Sequence, residues 1–123
     1  MASSWVSVVD DDESVRESLP DLLRELGFSA RAFASAAEFL SSGALDQTRC
    51  LILDVAMPGM TGPELQRELL RQGRKVPIIF ITAQGDDKVR SAVLAKGAVA
   101  YLLKPFTEAE LRGALASAMG AVR

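Results

Sequence analysis

The sequence predicts an α/β domain, a doubly wound parallel sheet of five strands with helices on both faces. Three observations predict it. Short apolar runs alternate with helical patterns from end to end, repeating β-α five times. The third, fourth and fifth runs are near-continuous aliphatic, as expected of strands covered on both faces. Glycines follow the helical patterns, where a left-handed cap is wanted.

The strands are expected at Trp5–Val9, Ser29–Phe33, Cys50–Leu53, Val76–Ile81 and Ala98–Leu103. Between the first two, Val15, Leu19, Leu22, Leu23 and Leu26 fall three or four apart and mark a first helix. Pro20 lies inside it, where a missing donor predicts a kink or a loosened turn. Ser35–Glu38 and Thr107–Glu110 read as capping boxes that open the second and fifth helices. Leu65, Leu69 and Leu70 mark the third helix, Val89, Val93 and Leu94 the fourth, and Leu111, Leu115 and Met119 the fifth. Gly27, Gly73 and Gly97 sit where helices should end. One domain over residues 1–123 is expected, with any output domain outside this chain.

Composition narrows the function. Hydrophobic residues make up 49% and charged residues 24%, which is globular rather than disordered stock. Fourteen Lys and Arg against sixteen Asp and Glu leave a net charge of −2, so no nucleic-acid footprint is expected. There is no histidine, which excludes Ser-His-Asp and Cys-His catalysis and histidine-ligated zinc. Cys50 is the one cysteine, which fits a reducing compartment. No membrane span and no secretory leader are read, so a cytoplasmic location is expected.

In an open α/β sheet, ligands bind beyond the carboxyl ends of the strands. The first strand ends in Asp10, Asp11 and Asp12, the third in Asp54, the fourth in Thr82 and the fifth in Lys104. Converging carboxylates repel one another unless a hard divalent cation sits among them. Asp11 and Asp54 are the candidate direct ligands, with Asp10 acting through water. Asp12 and Glu13 are read as favouring the positive end of the first helix. A carboxylate can attack phosphorus, and phosphoryl transfer needs mainly positioning and charge neutralisation. Asp54 suits that nucleophile, Lys104 the neutralising cation and Thr82 a hydroxyl donor to a phosphoryl oxygen. Taken singly, Lys104 and Thr82 would be ordinary surface and turn residues; on four strand ends together, four such residues suit one reaction.

The strings Val9-Asp10-Asp11-Asp12-Glu13, Leu53-Asp54 with Met57-Pro58-Gly59 and Gly62, Ile81-Thr82-Ala83, and Lys104-Pro105-Phe106 carry a resemblance. Over essentially its whole length the chain resembles a response-regulator receiver domain of two-component signalling. The stretch from Lys96-Gly97-Ala98 through Tyr101 to Phe106 is similar to the FixJ-type subgroup. The resemblance implies a CheY-like (flavodoxin-like) fold with strand order 2-1-3-4-5. It implies Asp54 as phosphoacceptor, fed by a sensor histidine kinase or a phosphotransfer protein. Asp10, Asp11, Asp54 and the backbone carbonyl of Ala56 would hold Mg²⁺, with Mn²⁺ able to substitute; Asp12 is the alternative ligand if the register slips. Thr82 would be the switch hydroxyl, Lys104 the phosphate-binding lysine and Tyr101 the aromatic that follows Thr82. A cis Lys104–Pro105 peptide is implied as well.

The implied output is a changed face on the fourth helix, fifth strand and fifth helix, open to a homodimer or an effector. Val93, Ala95, Ala114 and Ala118 offer it small apolar residues, although such residues are more often core-facing. No enzyme is expected beyond Mg²⁺-dependent self-phosphorylation and autodephosphorylation. Two rivals stand beside this reading. One is a non-phosphorylated, constitutive interaction module, against which every expected position is filled. The other is a phosphohydrolase, against which Ala56 stands where such enzymes carry a second aspartate.

Overall fold

The computed structural model describes residues 5–120. Five strands and five helices alternate along the chain. The strands are β1 (Trp5–Val9), β2 (Ser29–Phe33), β3 (Thr48–Asp54), β4 (Ile78–Thr82) and β5 (Ala100–Leu103). The helices are α1 (Glu13–Glu25), α2 (Ala36–Ser42), α3 (Gly62–Arg71), α4 (Asp87–Ala95) and α5 (Glu108–Gly120). All strand pairs are parallel, in the order β2-β1-β3-β4-β5. The expected fold class and strand order are those observed. A short 3-10 turn, Ala44–Gln47, was not expected; it feeds β3, which starts two residues earlier than the apolar run alone suggested.

Each face of the sheet carries its own core. On one side Val6, Val8, Ile52, Ile79 and Ile81 pack under Leu19 and Leu23 of α1 and Leu111 and Leu115 of α5. On the other, Val9, Leu51, Leu53 and Phe80 meet Phe39, Leu65, Leu69 and Val93 from α2, α3 and α4. Successive residues of a strand point to opposite faces, so an unbroken aliphatic run serves both cores at once. This holds for β3 and β4. It does not hold for β5, where Ala100, Tyr101 and Leu102 are half-buried and Leu103 is 52% exposed. The strand order makes β5 an edge, and its apolar run has no neighbour beyond it to complete the cover.

Local signals explain the helix ends. Thr107 and Glu110 form the expected reciprocal capping box. At Ser35 only the hydroxyl half is seen, accepting from the Glu38 N–H at 3.0 Å. A further reciprocal box, Thr61 with Glu64, opens α3. Gly27, Gly73 and Gly97 adopt φ of 99°, 73° and 104°, a region in which a Cβ is strained. Helix α1 runs without interruption through Pro20, which is buried beside Leu19 and Leu23. The ring leaves the Arg16 carbonyl without its helical donor but adds to the buried face, so packing holds the helix across the lost bond. Among the described residues, no helix is long and apolar enough to cross a membrane.

Candidate functional site

The sheet register assembles the site. Val9 pairs with Leu53, so the next residues, Asp10 and Asp54, leave neighbouring strands together. Asp54 pairs with Ile81, which brings Thr82 one step further out. Thr82 pairs with Leu103, which sets Lys104 at the end of the same staircase. A backbone bond from the Lys104 N–H to the Thr82 carbonyl (2.8 Å) extends the ladder there. These residues, with Asp11, Asp12, Ala56, Ala83 and Gln84, line one open cleft of about 290 Å³.

Inside the cleft the charges are tightly arranged. Asp10 is fully buried and Asp54 is 5% exposed. The Lys104 ammonium donates to Asp10 Oδ2 at 2.8 Å and lies 3.6 Å from Asp54 Oδ1. The Asp12 N–H donates to Asp10 Oδ1 at 2.9 Å. Burial, followed by the charge on Asp10, pushes Asp54 up to about 7, against the opposing pull of Lys104. Lys104 loses water too, which by itself favours the neutral amine. The hydrogen bond and charge of Asp10, with the charge of Asp54, outweigh that and hold its pKa above the usual lysine value.

Asp10, Asp11 and Asp54 each turn one carboxylate oxygen to within 4.8 Å of the others. An all-oxygen donor set with no imidazole or thiolate fits a hard divalent cation. Asp12 belongs elsewhere. Its carboxylate accepts from the backbone N–H (2.9 Å) and the hydroxyl (2.8 Å) of Ser14, capping α1. Those bonds hold its pKa below the ordinary aspartate value. The helix-start reading of Asp12 thus agrees with its geometry.

Thr82 is buried at the cleft, but its hydroxyl donates to the Gln84 carbonyl at 3.0 Å rather than toward Asp54. Tyr101 lies outside the cleft lining, half-buried, and its hydroxyl accepts from the Asp86 N–H at 3.2 Å. The Lys104–Pro105 peptide is cis. Val93, Ala114 and Ala118 do not offer an outer surface: they are buried in the two cores, and of the four small apolar residues only Ala95 is exposed.

One contributor escaped the sequence reading, and another was named there only as part of a motif. The Arg16 guanidinium reaches back from α1 to donate to the Asp10 backbone carbonyl at 3.0 Å, tying down the turn that carries the acidic run. Its place one helical turn after the Asp12 cap was the available signal. Gly62 opens α3 directly over the end of β3. A Cβ there would stand 2.3 Å from the Asp54 carbonyl oxygen, so any side chain would push the two apart.

The sequence matches the response regulator receiver domain over residues 6–116. The chain belongs to that family. This receiver domain is 46% identical over 113 residues to nodulation protein W of Bradyrhizobium diazoefficiens, covering 92% of this chain and 50% of that protein. It is 42% identical over 117 residues to the response regulator protein TodT of Pseudomonas putida, covering 95% of this chain and 52% of that protein. The crystal structure of FixJ-N superposes with a TM-score of 0.85 at 34% identity, covering 98% of this chain and 96% of that one. The chain thus spans about half the length of these two full-length relatives. Response regulators act in two-component signalling, as the receiving side of histidine kinases.

Proposed function

We propose that this receiver domain takes a phosphoryl group onto Asp54 from the phosphohistidine of a sensor histidine kinase or a phosphotransfer protein. The observation that carries the reading is the Lys104 ammonium lying against both buried carboxylates, 2.8 Å from Asp10 and 3.6 Å from Asp54. In the transfer an Asp54 oxygen forms the new P–O bond as the P–N bond breaks. The electron pair of that bond goes to the donor imidazole, which takes up a proton. Asp10, Asp11, Asp54 and the Ala56 carbonyl would hold Mg²⁺, or Mn²⁺ in its place, whose charge offsets that of the phosphoryl oxygens. Lys104 binds a phosphoryl oxygen from the other side, and the Thr82 hydroxyl exchanges the Gln84 carbonyl for that new acceptor.

The product adds nearly two negative charges to the cleft. As Thr82 turns inward it leaves room for Tyr101, whose hydroxyl now sits on the N-terminal turn of α4. Release of that bond alters the face formed by α4, β5 and α5, which then pairs with a second copy or acts on an output domain. The switch shifts a population, so its extent is limited by how much better the phosphoryl group fits the active conformer. We place this function in the cytoplasm, with residues 1–123 forming the regulatory unit of the protein.

The test is intact mass spectrometry after incubation with Mg²⁺ and acetyl phosphate. One added phosphoryl group is expected, absent from Asp54→Asn and from an EDTA-treated sample. No gain at any donor concentration would leave the unphosphorylated interaction module in its place.

A further inference from the structure

The end of the sheet opposite the aspartate cleft carries a different kind of surface. There the starts of β4 and β5 meet the ends of α3 and α4 around an open cavity of about 270 Å³. Leu69, Leu70, Val76 and Val99 give it apolar walls. Leu70 is 48% exposed and, with Leu103, one of the two large hydrophobic side chains left in water among the described residues. Gln66 lines the cavity as well; it is buried, and its amide donates to the Val93 carbonyl at 3.0 Å, bracing α3 against α4.

The charged residues at this cavity are all cations. Lys75 and Lys96 are exposed on its rim, and neither meets a carboxylate among the described residues. Arg74 also lines it and is paired with Asp46. Asp10, Asp11 and Asp54 gather at the cleft, while two lysines that meet no carboxylate among the described residues flank an apolar hollow at the other end of the sheet. The hollow is below the usual size of cofactor pockets, roughly 300–1,000 Å³, yet roomy enough for a buried side chain.

We infer that this hollow docks an acidic segment of a partner protein, one large apolar side chain entering between Leu70 and Val99 while flanking carboxylates pair with Lys75 and Lys96. Apolar burial supplies the anchor, and the two lysines select the sign of the partner. Because the surface lies at the far end of the strands from Asp54, an occupant leaves the phosphoacceptor open. It borders the face of α4, β5 and α5 at the α4–β5 connection, Lys96 to Val99, and takes in no residue of α5.

The test is amide chemical-shift mapping of the full 123-residue chain with three short synthetic peptides. The first carries one Phe between pairs of Glu, the second replaces Phe by Ser, and the third replaces every Glu by Lys. Shifts confined to the amides around Leu70, Val76 and Val99 are expected with the first peptide alone. Loss of the Phe should weaken binding about tenfold. The Lys75→Glu/Lys96→Glu double variant, altered only at exposed positions, should weaken it by a similar factor of about ten. Equal binding of the Ser peptide would mean unselective ionic attraction and overturn the inference, as would the absence of shifts at these residues. Changes at the same amides that grow with protein concentration, without peptide, would put a second copy of this chain there and overturn it too.

Discussion

Asp10 and Asp12 are two residues apart in one acidic run, yet they occupy opposite electrostatic worlds. Asp12 is exposed at the start of α1, where helix donors stabilise its charge. Asp10 is fully buried, shares the cleft with Asp54, and depends on Lys104 for a cation. The first environment rewards ionisation on its own. The second concentrates more negative charge than a dry strand end accommodates, and Asp54 takes the strain by holding its proton up to about 7. Acidity in a sequence is therefore ambiguous: one carboxylate serves the helix that follows it, and its neighbour is set aside for a ligand.

The largest test of that contrast removes the cation. Lys104→Met leaves Asp10 buried with only the Asp12 N–H against it. A metal-free variant should lose about 2–3 kcal/mol of stability by urea unfolding at pH 8, somewhat less than a fully buried broken pair because Lys104 is partly exposed. Lowering the pH should shrink the deficit, since Asp54 then takes up a proton and one of the two charges disappears. An unchanged midpoint at pH 8 would mean the cleft tolerates its charges without Lys104.

Asp54→Asn should act in the opposite direction. The raised pKa of Asp54 means that the folded protein keeps a proton which the unfolded chain releases near 3.8. The associated stability is full below that value and is lost as pH rises to about 7. At pH 8 and without metal, the Asn variant should therefore exceed the wild type, by on the order of 1–2 kcal/mol. The two curves should converge below about pH 4. Excess Mg²⁺ should narrow or reverse the gap, because it favours only the carboxylate. Parallel curves at every pH would show that Asp54 carries no such burden.

Much of this arrangement was legible in the sequence because it follows from period and order. An aliphatic run closed by Asp54 can only present that carboxylate at the rim, and the glycines at 27, 73 and 97 do end their helices. What was not legible depends on which neighbours the fold supplies. The run at β5 by itself reads as a buried strand, although the implied order 2-1-3-4-5 makes it an edge, and Leu103 lies in water there. Val93, Ala114 and Ala118 were offered to an outer face with the core as the commoner reading, and the packing of α4 and α5 puts them in the core. Gly62 sits in a recognisable motif, but its reason, the Asp54 carbonyl against its Cα, exists only in three dimensions. The hydroxyl of Thr82 was expected at the phosphoryl site, whereas it donates to the Gln84 carbonyl.

The smallest effect sharpens the comparison most. Asp12→Ala removes the α1 cap and its two bonds to Ser14, so the thermal midpoint should fall by a few degrees near neutral pH. Because the pKa of Asp12 is lowered in the fold, the stability tied to its charge is present above its unfolded value and fades as pH falls through the folded one. The difference between variant and wild type should therefore close in acid, whereas for Asp54→Asn it opens as pH rises. The phosphoryl gain with acetyl phosphate should remain within about twofold of wild type, since the backbone N–H that Asp12 gives to Asp10 survives the substitution. A collapse of Mg²⁺ affinity in Asp12→Ala, measured by calorimetry, would break the contrast outright: it would make Asp12 a ligand and shift the metal register by one residue along the acidic run.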